Sequence, residues 1–111
     1  MPLLDLIFPP RCGGCGRHGQ HFCASCVASL EAVPLSTLHE IPLVAAGRLT
    51  GPLQAAIHTY KYRPRPQLAA SLAQPLSRAA IASGLSLPAV TFVPLHPRRQ
   101  RERGFNQAER L

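Results

Sequence analysis

Four cysteines, all that the 111 residues contain, fall into two CxxC pairs separated by seven residues: Cys12-Gly-Gly-Cys15 and Cys23-Ala-Ser-Cys26. Two residues between cysteines let both sulfurs of a pair reach one ion while nearby amides hydrogen-bond to the thiolates. Gly16, directly after the second cysteine, permits the tight turn that such a knuckle needs. Four thiolates without a spare ligand describe a closed, structural Zn²⁺ site. Iron suits the same four sulfurs. His18 and His21, inside the seven-residue gap, are substitute ligands that four cysteines make unnecessary. Two disulfides would suit a secreted chain, and a redox CxxC usually stands alone in a thioredoxin-like setting. The site organises residues 1–32, which could not otherwise bury enough surface to fold.

The rest of the chain has to build its core from aliphatic side chains, because 46% of residues are hydrophobic but only 5% are aromatic and Trp is absent. Twelve prolines cut it into short pieces. Residues 33–40, with Pro34, Ser36 and Thr37, read as a linker, and 41–111 as alternating strand and helix. Ile41 to Arg48 is predicted as a short strand. Pro52 suits a first helical turn, and Leu53, Ala56, Ile57 and Tyr60 then recur on one helical face until Arg63-Pro64-Arg65-Pro66 ends it. A second helix is predicted from Gln67 to about Ser83, with Leu68, Leu72, Leu76 and Ile81 buried, a kink or split at Pro75 and a cap at Gly84. Ala89 to Leu95, rich in β-branched residues, reads as a buried strand, and a last helix opens near Phe105. Strand and helix in alternation predict an α/β layer. Two strands are too few for a stable sheet of that kind.

Twelve Lys and Arg against five Asp and Glu give a net charge of +7. That surplus favours phosphate-bearing partners: nucleic acid, a phosphorylated metabolite or an acidic membrane surface. No segment approaches the roughly 20 apolar residues of a membrane span. The apolar start, Met1 to Pro10, lacks a positive leading region and a cleavage site, so the chain is expected in the cytoplasm. Two basic segments stand out. Arg98, Arg99, Arg101 and Arg103 follow the apolar run that ends Pro94-Leu-His96-Pro97. Gly104 and Asn106 flank a helix start whose free amides would suit an anion. His96 is either a loop filler or a phosphate contact. Lys61, Arg63 and Arg65 form a second cluster in which Lys61 and Arg63 also complement a helix C-terminus. Tyr62, between them, is a candidate to stack on a nucleic-acid base.

Taken together, LLDLIFPPRCGGCG, FCASC, GPLQAAIHTYKYRPRPQLAASLAQPL and VPLHPRRQRERGFNQAERL resemble the ComF family, the competence protein F group of phosphoribosyltransferase-like proteins. They occur in family order and cover nearly the whole chain. The family often has further cysteine pairs, so one quartet makes a minimal zinc module. The resemblance implies a zinc knuckle, residues 1–32, ahead of the incomplete first part of a type I phosphoribosyltransferase fold, residues 41–111. In that fold the loop after the first core strand contacts pyrophosphate, which places Pro94 to Gly104 in that role. It further implies natural transformation as the setting, single-stranded DNA or other competence proteins as partners, and phosphoribosyl pyrophosphate with Mg²⁺ as ligand of a full-length form. Neither the later ribose-phosphate loop nor its paired acids occur here, so the resemblance implies a truncated chain in which phosphoribosyl transfer would not proceed.

Overall fold

The computed structural model describes residues 3–63 and 65–111. Met1 and Pro2, part of the apolar start, and Pro64, part of the predicted helix stop, lie outside the described residues. Among the described residues, six helices and one hairpin follow in order: α1 Leu3–Ile7, α2 Ala24–Ala28, β1 Ser36–Leu38, β2 Ile41–Leu43, α3 Gly51–Tyr62, α4 Leu68–Ala82, α5 Pro97–Arg103 and α6 Gln107–Arg110.

Helix α3 forms as its pattern dictates. Pro52 lies in its first turn, and Leu53, Ala56 and Tyr60 are buried along one face with Ile57 partly so. It stops at Arg63, whose extended backbone (φ −120°, ψ 132°) is the conformation favoured ahead of a proline. In α4 the buried face carries Leu68, Ala69, Leu72 and Pro75. Pro75 does not split the helix, and α4 runs on to Ala82. The Pro75 ring is buried and borders the same clefts as Val27 of α2, so packing offsets the lost hydrogen bond. Ile81, expected inside, is 81% exposed. It lies thirteen residues after Leu68, and at 3.6 residues per turn that is about 220° around the axis from Leu68, on the side opposite the buried stripe. Leu76, also expected inside, lies at the edge of that stripe and is 40% exposed.

These helices share a single hydrophobic core with the cysteine module. Cys12, Phe22 and Cys26 pack with Leu53, Ala56 and Tyr60 of α3, with Leu68, Ala69 and Leu72 of α4, and with Phe105. The tips of Leu68 lie against Gly13, where an added Cβ would come within 3.2 Å of them. The Tyr60 and Phe105 rings meet at 5.4 Å between centroids and 53°, a tilted aromatic pair.

The β-structure departs most from expectation. Among the described residues the sheet is two-stranded and antiparallel, with Ser36 opposite Leu43, Thr37 opposite Pro42 and Leu38 opposite Ile41. Its first strand falls in the stretch that reads as a linker, and its second covers three residues of the eight predicted. The two-residue turn has positive φ at His39 (49°) and Glu40 (68°), the handedness that matches the twist of a tight hairpin. Residues 89–95, predicted as a buried strand, form none, and Val90 and Val93 are 87% and 80% exposed. A strand is held by its neighbours, and no described segment lies alongside to pair with this one. The described residues are therefore a mixed assembly of helices and a small hairpin around a four-cysteine site, without the parallel α/β layer. No described helix is long and apolar enough to cross a membrane.

Candidate metal centre and basic cleft

The cysteines reach one point from two short structures. Cys12 and Cys15 bracket a turn closed by the Gly16 amide on the Cys12 carbonyl at 2.9 Å, with Gly16 at φ 78°. Cys12 is fixed further by its own amide donating to the Arg17 carbonyl at 2.8 Å. Cys23 is the N-cap of α2, and Cys26 lies on the first turn of that helix. The four Sγ atoms all lie within 4.8 Å of one another. Cys12 to Cys26 and Cys15 to Cys23 are each 3.6 Å. Zinc–sulfur bonds of about 2.3 Å in a tetrahedron require sulfurs about 3.8 Å apart, so the quartet fits the ion. Cys12 and Cys26 are buried, whereas Cys15 is exposed.

The surroundings prepare these ligands for a cation. Burial pushes the Cys12 thiol up, but amide donors at Cys15, Cys23 and Gly14 outweigh it and bring it down to about 6. The Gly14 and Cys23 amides donate to Cys12 Sγ at 3.4 and 3.3 Å. The Cys23 thiol is lowered, chiefly by the Cys26 amide. Burial, followed by the neighbouring sulfurs, pushes Cys26 up. A thiol held up by other thiolates loses its proton when a divalent ion compensates their charge. The four cysteines thus form a zinc-binding site. Neither His18 nor His21 belongs to the cluster. The Nδ1 of His21 instead faces Arg65 Nη2 at 3.4 Å. Burial and then the Arg65 charge lower its pKa, which keeps the ring neutral and able to accept.

The arginine run folds differently from the predicted loop. Residues Pro97–Arg103 are helical, with Pro97 at the start and His96 as N-cap, its Nδ1 accepting from the Arg98 amide at 3.2 Å. His96 thus serves as a helix cap and is not a loop filler. Gly104, with φ 82°, ends α5 as a left-handed cap and opens no helix N-terminus. Asn106 is buried and caps α6, its side chain accepting from the Ala108 amide at 3.1 Å, so that amide is not free for an anion. The last helix starts at Gln107, and Phe105 belongs to the core.

Helix formation brings the two basic segments together. Lys61, Tyr62 and Arg63 from the end of α3 line one cleft of about 200 Å³ with Arg99, Glu102 and Arg103 of α5. The Arg103 guanidinium lies 5.3 Å from the Tyr62 ring centroid and donates from Nη1 to Gln107 Oε1 at 3.0 Å. Buried Gln107 is held in turn, because its carbonyl accepts from the Tyr60 hydroxyl at 2.9 Å. Glu102 pairs with Arg98 at 3.3 Å, one turn apart on α5. Arg101 does not line the cleft. Arg65 also stands apart, donating from Nη2 to the Arg11 carbonyl on the cysteine module. Sequence reasoning missed Glu102 and Gln107. Glu102 was readable as the single acid in the run, four residues after Arg98, whereas nothing local marks Gln107.

The four-cysteine zinc site, packed on the helix pair α3 and α4, is also the part of the chain that a known family model matches. Residues 3–36 match the double zinc ribbon domain family. The name denotes two sites, and this chain has the ligands of one, since its four cysteines are all used. Over 105 residues the chain is 33% identical to the DNA utilization protein YhgH of Salmonella typhimurium, covering 90% of this chain and 44% of that protein. The Salmonella typhi protein of the same name gives the same identity and coverage. The chain thus spans under half the length of these relatives. No solved structure matches it significantly.

Proposed function

We propose that this chain is a DNA-handling module of the ComF type, acting in natural transformation by binding single-stranded DNA on its basic surface. The observation that carries the reading is the alignment of 90% of the chain with a protein whose name is DNA utilization. The net charge of +7 supports it, because a polyanion is the partner such a surplus favours. In this reading zinc is structural: it fixes the cysteine module against α3 and α4 and does no chemistry on the DNA.

Fluorescence anisotropy with a labelled oligothymidylate at rising salt tests this. Four phosphate contacts predict a slope of log affinity on log salt near −3, from about −0.7 per phosphate on a single strand. No binding at low salt, or an affinity indifferent to salt, would refute the proposal. Phosphoribosyl pyrophosphate with Mg²⁺, added as competitor, reports whether a small phosphorylated ligand shares the surface.

A further inference from the structure

We infer that the cleft between α3 and α5 is a one-nucleotide subsite, in which an unpaired base stacks on Tyr62 while Lys61, Arg63, Arg99 and Arg103 hold the adjoining phosphates. The inference rests on the DNA-binding reading and assigns it a place. Tyr62 is 61% exposed, so its ring lies within reach of a ligand. An exposed ring beside cations is the device by which proteins hold single strands without reading sequence: every base offers a π-face, and every linkage a charge.

Three features separate this cleft from a chance cluster of surface charge. The first is charge balance. Four cations line it against one acid, Glu102, and that acid is already paired with Arg98 outside the cleft. The second is rigidity. Tyr62 lies two residues from fully buried Tyr60, and Arg103 is fixed between Gln107 and the Tyr62 ring. Gln107 is tied back to Tyr60, so the Arg103 guanidinium is anchored to the core and loses little freedom on binding. The third is size. At about 200 Å³ the space falls below the roughly 300–1,000 Å³ that enclose a small-molecule ligand. A shallow recess of that volume suits one element of a longer strand better than a metabolite that must be surrounded.

His58 meets the Tyr62 ring at 4.9 Å between centroids and 48°, and Tyr62 stays largely exposed beside it.

The test uses the whole chain and an oligothymidylate. Tyr60 is buried out of reach of a ligand, so a change in intrinsic tyrosine emission on binding reports on Tyr62, and stacking is expected to quench it. Tyr62→Ala should weaken binding about tenfold, within the range that stacking of one base supports, without changing the salt slope. Tyr62→Phe should bind like wild type. Arg99→Ala and Arg103→Ala should each reduce the slope by about 0.7. An abasic strand of equal length should bind wild type and Tyr62→Ala alike. Zinc content of each variant checks that the fold is kept. If wild type binds with a steep salt dependence but Tyr62→Ala binds within twofold of it, or loses as much on the abasic strand, the subsite is overturned and the DNA reading stands. If wild type binds no oligonucleotide, both fall.

Discussion

Replacing Gly14 by alanine should strip the protein of much of its zinc affinity, although Gly14 supplies no ligand atom. A Cβ built there lies 2.9 Å from Cys26 Sγ, 3.0 Å from a Phe22 ring carbon and 3.0 Å from Pro52 Cβ. Comfortable heavy-atom contact is about 3.5–4.0 Å, so the methyl group is roughly 0.5–1 Å too close on three sides. None of the three yields easily. Phe22 is buried, and Pro52 is a ring in the first turn of α3. Cys26 Sγ is bound by the coordination sphere, which tolerates about ±0.2 Å. Overpacking of this kind costs about 1–3 kcal/mol. If it falls on the metal-bound form, zinc affinity drops roughly 5- to 140-fold, at about 1.4 kcal/mol per factor of ten. Competition against a chromogenic chelator measures this directly. Gly47→Ala serves as the control, since its Cβ meets nothing closer than 3.4 Å. Zinc affinity for Gly14→Ala within twofold of wild type would refute the reasoning.

Tyr60→Phe removes the hydroxyl that donates to the Gln107 carbonyl in the core and should cost about 1 kcal/mol, lowering Tm by several degrees; an unchanged urea midpoint would contradict this. Glu102→Gln breaks an exposed ion pair on α5 and should cost under about 0.5 kcal/mol of stability. By removing the acid from the cleft it should also tighten oligonucleotide binding, and weaker binding in anisotropy would count against the cleft as a nucleic-acid surface. Chelation of zinc should remove hydrogen-exchange protection from α2 and from the α3 amides around Leu53 and Ala56 together, because both belong to one core; loss confined to the cysteine module would show that the helices fold without it.

What the sequence disclosed followed from whether its information was local. The cysteine quartet was legible because four ligands at fixed spacing specify their own geometry. Helix α3 was legible because Pro52, a 3.6-residue stripe and the Arg63-Pro64 step all agree. The strand expected at 89–95 failed for the opposite reason. Its composition is strand-like, but strand formation needs a partner, and the described residues supply none. The arginine run showed its charge and hid its shape. Pro97 and His96 are a serviceable helix start, but a row of arginines between two glycine- or proline-marked steps reads equally well as loop. That Tyr62 and Arg103 would meet depended on the path of α4 between them, which no short window encodes.

Leu68, lodged against Gly13, has a consequence for how the protein responds to its surroundings. Neither α3 nor α4 carries a metal ligand, yet both lean on residues whose positions the ion dictates. Mass action therefore extends to the helices: above the dissociation constant, each tenfold rise in free zinc adds about 1.4 kcal/mol to the stability of the whole cooperative unit. The amount of folded α3, and with it the surface that displays Lys61, Tyr62 and Arg63, is then set partly by the supply of free metal, at a distance from any coordinating atom.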